Sequence, residues 1–157
     1  MTQRLLLNDA APNAAKGLYA TSAYLAQCSL PKVLVDLVYL RVSQMNGCAY
    51  CIDMHSRDLL QLGMAVDKLL LVPVWREALP LFDARERAAL QWAESLTAVA
   101  QTQAPDADYA AVAAVFGERE IGELTLAVGL MNAFNRIGVG LRMVPKAAAQ
   151  AAGAVSA

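Results

Sequence analysis

Cys48, Cys51 and His55 stand close together in the stretch RVSQMNGCAYCIDMHSRDLLQLG, residues 41–63. They are two of the three cysteines and the only histidine in a chain of 157 residues. Two thiols and an imidazole can form a nucleophile with its base, a reversible disulfide, or part of a metal site. Read as a helix beginning after Asn46-Gly47, the positions i, i+3 and i+7 fall within roughly 60° of arc on one face. Ile52, Leu59 and Leu62 share that arc, whereas Asp53, Arg57 and Gln61 lie opposite. An amphipathic helix turns its apolar stripe inward, so the thiols and the imidazole are expected to face the core or a pocket in it. Helical Cα atoms three residues apart are about 5 Å apart, which a disulfide accepts without movement of the backbone.

The thiolate is the reactive form, and two influences compete for it. Placed in the first turn, Cys48 meets the positive end of the helix dipole. Cys51 is at i, i+4 from His55, which favours it instead; the spacing leaves both assignments open. His55 on an apolar face also reads as a satisfied core histidine, but two cysteines on the same face favour a chemical role. Asp36 lies in an otherwise apolar segment, where burial would raise its pKa toward neutrality and let it orient His55 or relay its proton. The competing reading puts Asp36 on a narrow solvated strip with Lys32 and Ser43. Arg41, Arg136, Asn132 and Asn135 read as buried helix-to-helix hydrogen bonding. Trp75, Trp92 and the six methionines read as core, and Cys28 as a small buried hydrophobe.

The elements that must position these residues all read as helices. Pro12 to Gln27 forms one, with Tyr19 and Tyr24 adding apolar surface, and Ser29 and Pro31 suit the N-cap and first turn of a second, running to about Met45. That second helix is apolar nearly all round and must be central. The cysteine helix follows to about Leu62, with Gly63 as its C-cap. Val66–Val72 is a short helix ended by Pro73, and Trp75–Phe82 a connecting segment. Asp83 with Glu86 makes a capping box opening a helix to about Ala100. After a loop over Thr102–Pro105, Asp106 caps a short helix to Phe116. A long helix spans Glu118–Leu141, with Gly122, Thr125, Gly129, Asn132, Arg136 and Gly140 as a small-residue strip that should pack against another helix of the chain or of a neighbour. Residues 146–157 show no periodic pattern and are expected to fray. No segment alternates like a half-buried strand. The expected fold is an all-α, single-domain bundle of six to eight helices, with its core over about residues 12–142.

Composition narrows the function classes. The net charge of −1 leaves no basic footprint for nucleic acid or an anionic membrane surface. Apolar runs stop well short of the roughly 18 residues that span a bilayer. The segment MTQRLLLNDAAP has no signal-peptide pattern, which places the chain in the cytoplasm, where a CxxC pair more often means redox catalysis or metal binding than a structural staple.

The 41–63 stretch, with its RxSQxNGC flank and CxxCxxxH core, resembles the AhpD-like alkylhydroperoxidase group of the carboxymuconolactone decarboxylase superfamily. WREALPLFDARERAALQWAESLT and NAFNRIGVG are similar too, so the resemblance covers most of residues 30–142. It implies an all-helical homo-oligomer, a trimer or hexamer, in which a CxxC pair reduces hydroperoxides or carries electrons as a disulfide. It further implies that Cys51 becomes the sulfenic acid, that Cys48 donates a proton and then closes the disulfide, and that His55 is the relay histidine. The family's relay glutamate falls at Asp36, one methylene shorter, and a family histidine falls at Tyr50. Decarboxylase members generally lack the cysteine pair, which argues against lactone decarboxylation.

The leading expectation is therefore a cytoplasmic antioxidant enzyme, a peroxidase that reduces organic hydroperoxides and is regenerated by a dithiol such as a lipoyl group or a thioredoxin-like protein. A thiol-disulfide adaptor or sensor with little peroxidase turnover is the alternative. The third reading is a metal site on Cys48, Cys51 and His55 with Asp36 as a further candidate. Zinc prefers four converging ligands and one helix supplies three, so no metal or other cofactor is expected.

Overall fold

Pro31 opens and Gly47 closes the helix around which the others pack. In the computed structural model, which describes residues 2–155, ten α-helices and no β-strand occur among the described residues. They are α1 (Leu7–Ala10), α2 (Pro12–Leu25), α3 (Lys32–Asn46), α4 (Ala49–Gln61), α5 (Val66–Leu71), α6 (Ala84–Thr97), α7 (Val99–Thr102), α8 (Asp106–Ala113), α9 (Glu118–Gly140) and α10 (Lys146–Val155). Two 3₁₀ segments, Val72–Glu77 and Leu79–Leu81, carry the chain from α5 to α6. The count exceeds the expected six to eight because α1 and α7 are single turns and the alanine-rich tail is helical. Good helix formers and the Asp53 carboxylate, which accepts the Ala147 N–H at 3.1 Å, account for that last departure. Ser156 and Ala157 of the tail lie outside the described residues.

Every residue of α3 from Leu34 to Leu40 is buried, and its opposite faces serve two apolar clusters. One joins Val35, Val38 and Val42 to Trp92, Leu124 and Val128 of α6 and α9. The other joins Leu37 and Leu40 to Leu59, Trp75, Phe82 and Leu90. Both tryptophans are core, as expected. Burying a Leu or Val side chain is worth about 1.5–3 kcal/mol, so a helix buried all round anchors whatever it carries.

Local signals locate most boundaries. Asp83 and Glu86 form the capping box, each side chain accepting from the other's N–H. Gly63, with φ +87°, follows α4, and the N–H groups of Gly63 and Met64 return to Leu60 and Leu59 in a Schellman motif. Ser29 does not cap α3: its N–H and hydroxyl both donate to Glu123 of α9, and Pro31 takes the cap. Leu62 is 43% exposed, because the helix ends before its side chain can turn inward. On α9, Gly122, Gly129 and Gly140 lie exposed, and a Cβ built on any of them meets nothing within 4 Å, whereas Thr125 accepts from the Trp92 indole and Asn132 bonds Asn46 and Thr97, so the chain's own described helices reach the strip only at those two polar residues. Tyr19 and Tyr24 are half exposed, their hydroxyls bonded to Asn8 and Glu123. Of the methionines Met131 is buried, but Met45 and Met54 are more than a third exposed, and Met1 lies outside the described residues.

Candidate functional site

Gly47 sets the site's geometry. Its φ of +66° ends α3 in a second Schellman motif, in which the Cys48 N–H donates to the Ser43 carbonyl at 3.0 Å. The reversal makes Cys48 the N-cap of α4 (φ −87°, ψ 94°) rather than a first-turn residue. Cys51 follows inside the first turn. All three cysteines are free thiols, with Cys28 half-buried against the core. The Sγ atoms of Cys48 and Cys51 lie 2.7 Å apart, and both residues are buried, 1% and 3% exposed.

This arrangement splits the acidities of the pair. Hydrogen bonding from the Cys51 thiol, against the opposing effect of burial, and then the Cys51 amide, the Asn135 side chain and the Tyr50 amide bring the Cys48 pKa from its ordinary 9.0 down to about 6. Its bond to Cys48, burial and the neighbouring negative charge push the Cys51 thiol up. Of the two sequence expectations, the one favouring Cys48 prevails, chiefly through the Cys51 thiol: Cys48 holds the resting thiolate, and the pair shares one proton near neutral pH. Ultraviolet thiolate absorbance should therefore report one thiolate per chain with a midpoint near pH 6, lost in Cys48→Ser; no thiolate below pH 8 would contradict this. Folding depresses the Cys48 pKa, so its contribution to stability is full above 9.0 and drains away as pH falls toward 6. The raised Cys51 pKa has the opposite sign, and withdraws stability as pH climbs above 9.0.

Asn135 of α9 backs the pair. It is fully buried, its amide donates to Ser43 Oγ at 3.0 Å, and its carbonyl oxygen accepts from Asn46 at 3.0 Å; Ser43 in turn donates to the Tyr39 carbonyl at 2.7 Å. Helix-to-helix bonding is thus borne out for Asn135, which also lowers both thiol pKa values. Asn132 accepts from Asn46, whereas Arg136 is exposed and bonds within its own helix, and Arg41 pairs with Glu94 away from the thiols. Asn135→Ala leaves Ser43 and Asn46 short of a partner and opens a cavity, so urea unfolding should show a loss of about 2–4 kcal/mol. A loss below about 1 kcal/mol would contradict that role.

Asp36 is buried, 4% exposed, and Ser43 is fully buried, so the solvated-strip reading is corrected. Burial pushes the Asp36 carboxyl up, but the neighbouring His55 imidazole and the Lys32 ammonium, 2.5 Å from Oδ2, together hold it below its ordinary value of 3.8. The expected rise toward neutrality is therefore also corrected, and Asp36 stands as a carboxylate. Its Oδ1 is 3.7 Å from His55 Nδ1, within ion-pair range. The Tyr39 ring packs on His55 with centroids 5.1 Å apart.

Cys51 and His55 open onto a cavity of about 430 Å³ whose walls are mainly apolar, among them Met54, Met131, Phe134 and Ile137; Cys48 does not line it. One further wall is the N-terminal segment from Leu5 to Asp9, moored where the Arg4 N–H and guanidinium donate to the Leu141 and Gly140 carbonyls at 3.0 and 2.9 Å. Sequence reasoning missed this wall, Tyr39 and Gly138. A Cβ on Gly138 would stand 2.9 Å from Cys48 Sγ, so its hydrogen is what lets α9 close on the thiols. The run Gly138-Val139-Gly140 was visible, but nothing local says which of its glycines faces sulfur.

The family model for the carboxymuconolactone decarboxylase family matches residues 12–95, which include Asp36, Cys48, Cys51 and His55. The uncharacterized protein YdfG of Bacillus subtilis is 32% identical over 141 residues, 90% of this chain and 95% of its own length. The uncharacterized protein YnjA of Escherichia coli is 38% identical over 103 residues, 66% of this chain and 56% of its own. A crystal structure from Agrobacterium tumefaciens, of a protein of unknown function attributed to the antioxidant defence protein AhpD, aligns with TM-score 0.88 and 36% identity over 92% of this chain and 98% of that one. An uncharacterized peroxidase-related protein of Ralstonia eutropha, described as an alkylhydroperoxidase AhpD core, aligns with TM-score 0.77 over 90% and 75% of the two chains, at 20% identity that speaks for the fold alone.

Proposed function

This chain belongs to the carboxymuconolactone decarboxylase family, in its AhpD-like group, and from that premise we propose that it is a cysteine-based peroxidase reducing organic hydroperoxides. The observation that carries the reading is the division of labour between the sulfurs. Cys51 opens onto the apolar cavity, and Cys48 waits 2.7 Å behind it as the more acidic thiol.

Cys51 passes its proton to the Cys48 thiolate and attacks the distal oxygen of the hydroperoxide. The O–O bond breaks, and the alkoxide takes up a proton supplied through His55 and leaves as the alcohol. Cys51, now the sulfenic acid, is attacked by the Cys48 sulfur, water departs, and a disulfide forms. From the resting pair the net reaction consumes one hydroperoxide, one thiol, one thiolate and one proton from solvent, and gives alcohol, water and one disulfide. An external dithiol, a lipoyl group or a thioredoxin-like protein, then restores both thiols by exchange. Asp36 orients His55 from 3.7 Å. The reading requires a reducing compartment such as the cytoplasm, and no described helix is long and apolar enough to cross a membrane. We also propose a homo-oligomer, a trimer or hexamer, closing over the exposed small-residue strip of α9.

The low Cys48 pKa favours a second reading, because an acidic thiol is a good leaving group in disulfide exchange. The two are separated by mixing reduced protein with cumene hydroperoxide and, separately, with an oxidised thioredoxin-like protein, counting thiols over time. Loss of two thiols per chain to the hydroperoxide, faster than free cysteine reacts, supports the peroxidase. A hydroperoxide reaction no faster than free cysteine, beside rapid exchange with the protein disulfide, transfers the function to a redox adaptor.

A further inference from the structure

His55 Nδ1 lies 3.7 Å from Asp36 Oδ1 and 3.9 Å from Asp58 Oδ2, beyond hydrogen-bond length in both directions. The residue is 4% exposed, and both its ring nitrogens are buried without a hydrogen-bond partner. Such nitrogens are ordinarily satisfied in a protein interior. The one place where three metal-ligating side chains converge among the described residues is this one: Asp36, His55 and Asp58 each bring an atom to within 4.8 Å of the others.

Ligand atoms bonded to a tetrahedral cation at about 2.0–2.2 Å stand about 3.4 Å apart. Closing the two spacings from His55 by roughly half an ångström, with the two carboxylates drawn together from within 4.8 Å of each other, gathers all three around one ion. We propose that Asp36, His55 and Asp58 form a binding site for a borderline divalent transition cation, of which Zn²⁺ is the type. An imidazole with two carboxylates suits such an ion, whereas Ca²⁺ takes six to eight oxygens and soft ions prefer sulfur. Lys32 holds only Oδ2 of Asp36, leaving Oδ1, the atom that faces His55, to the cation. Asp58 lies one turn along α4 from His55, and its side chain is 38% exposed, giving the ion a path from solvent. The site is distinct from a zinc centre on the CxxC pair, because neither cysteine belongs to the converging set.

A cation here holds the imidazole and carboxylate that the peroxidase uses, and so acts as a reversible inhibitor; this consequence alone rests on the proposed reaction. The binding itself is tested without hydroperoxide. Zn²⁺ is titrated calorimetrically into the double variant Cys48→Ser, Cys51→Ser, which removes thiol binding from the signal, and the visible spectrum of Co²⁺ reports the ligand set. We expect one Zn²⁺ per chain and a Co²⁺ spectrum without thiolate charge transfer. Adding His55→Ala should abolish binding. Adding Asp58→Ala should weaken it at least about tenfold, since even outer partners of metal ligands are worth about 10–100-fold. No saturable binding by the double variant, or equal binding after Asp58→Ala, would overturn the proposal. A protein that fails to reduce hydroperoxide yet binds Zn²⁺ in this way would leave the site standing and remove only the inhibition.

Discussion

Cys51→Ser should consume cumene hydroperoxide at least roughly 10³-fold more slowly than the wild type, a loss of about 4 kcal/mol of transition-state stabilisation. A serine hydroxyl in the same place keeps the shape of the cavity wall but supplies neither the polarisable nucleophile nor a proton that the Cys48 thiolate can remove. The contrast lies in Cys48→Ser, which retains the sulfur facing the cavity. Its first turnover should still consume one hydroperoxide, though more slowly for want of the thiolate base, and then stop as a sulfenic acid. Stopped-flow peroxide loss with the two variants side by side checks both statements. Equal rates in Cys51→Ser and wild type would assign the attack to another thiol. An inert Cys48→Ser beside an active Cys51→Ser would reverse the assignment and leave the cavity without its chemical purpose.

Gly138→Ala should damage the second step more than the first. The added methyl would sit 2.9 Å from Cys48 Sγ and 3.7 Å from Cys51 Sγ, and Cys48 has no open space to retreat into. Either the sulfur swings away from its partner or α9 moves off α4. Both outcomes cost stability, about 1–3 kcal/mol for an overpacked interior. Both also misplace the resolving sulfur, and displacements of about 1 Å can slow a positioned reaction by roughly 10²-fold. The expected result is a sulfenic acid that persists long enough in Gly138→Ala to be trapped, together with a lower urea midpoint. Gly17→Ala on α2 is the control, because a Cβ there meets nothing within 4 Å and lies outside the small-residue strip. Wild-type disulfide closure in Gly138→Ala would show that the thiol pair tolerates far more movement than its packing implies.

Much of the fold was legible because it is written locally. The all-round apolar pattern marked α3 as central, the Asp83 to Glu86 spacing gave the start of α6, and Asn46-Gly47 gave the break before the cysteines. The CxxC spacing and the histidine one turn on were enough to name Cys48, Cys51 and His55, whereas the pattern around Asp36 fitted a place beside His55 and a solvated strip equally, and only the packing decides for the former. What stayed hidden depends on tertiary contacts. Ser29 looks like a cap for α3 until Glu123, 94 residues away, claims its hydroxyl and amide. The state of Asp36 follows from Lys32 and His55 outweighing burial, a balance that spacing alone does not weigh. The contest for the thiolate was decided by a backbone reversal that turns Cys48 into the N-cap of α4 and sets its sulfur 2.7 Å from that of Cys51, whose thiol is the largest influence lowering its pKa. The wall formed by Leu5–Asp9 is moored by Arg4 across 136 residues of sequence, and Gly138 meets Cys48 across 90, so neither leaves a local trace.

The central claim, that the sulfur facing the cavity is the one oxidised, is tested most directly by locating the first oxidation product. Reduced Cys48→Ser is treated with one equivalent of cumene hydroperoxide in the presence of dimedone, then digested and mapped by mass spectrometry. The structure predicts a single adduct, on Cys51. An adduct on Cys28, or none at all while the peroxide is still consumed, would contradict it.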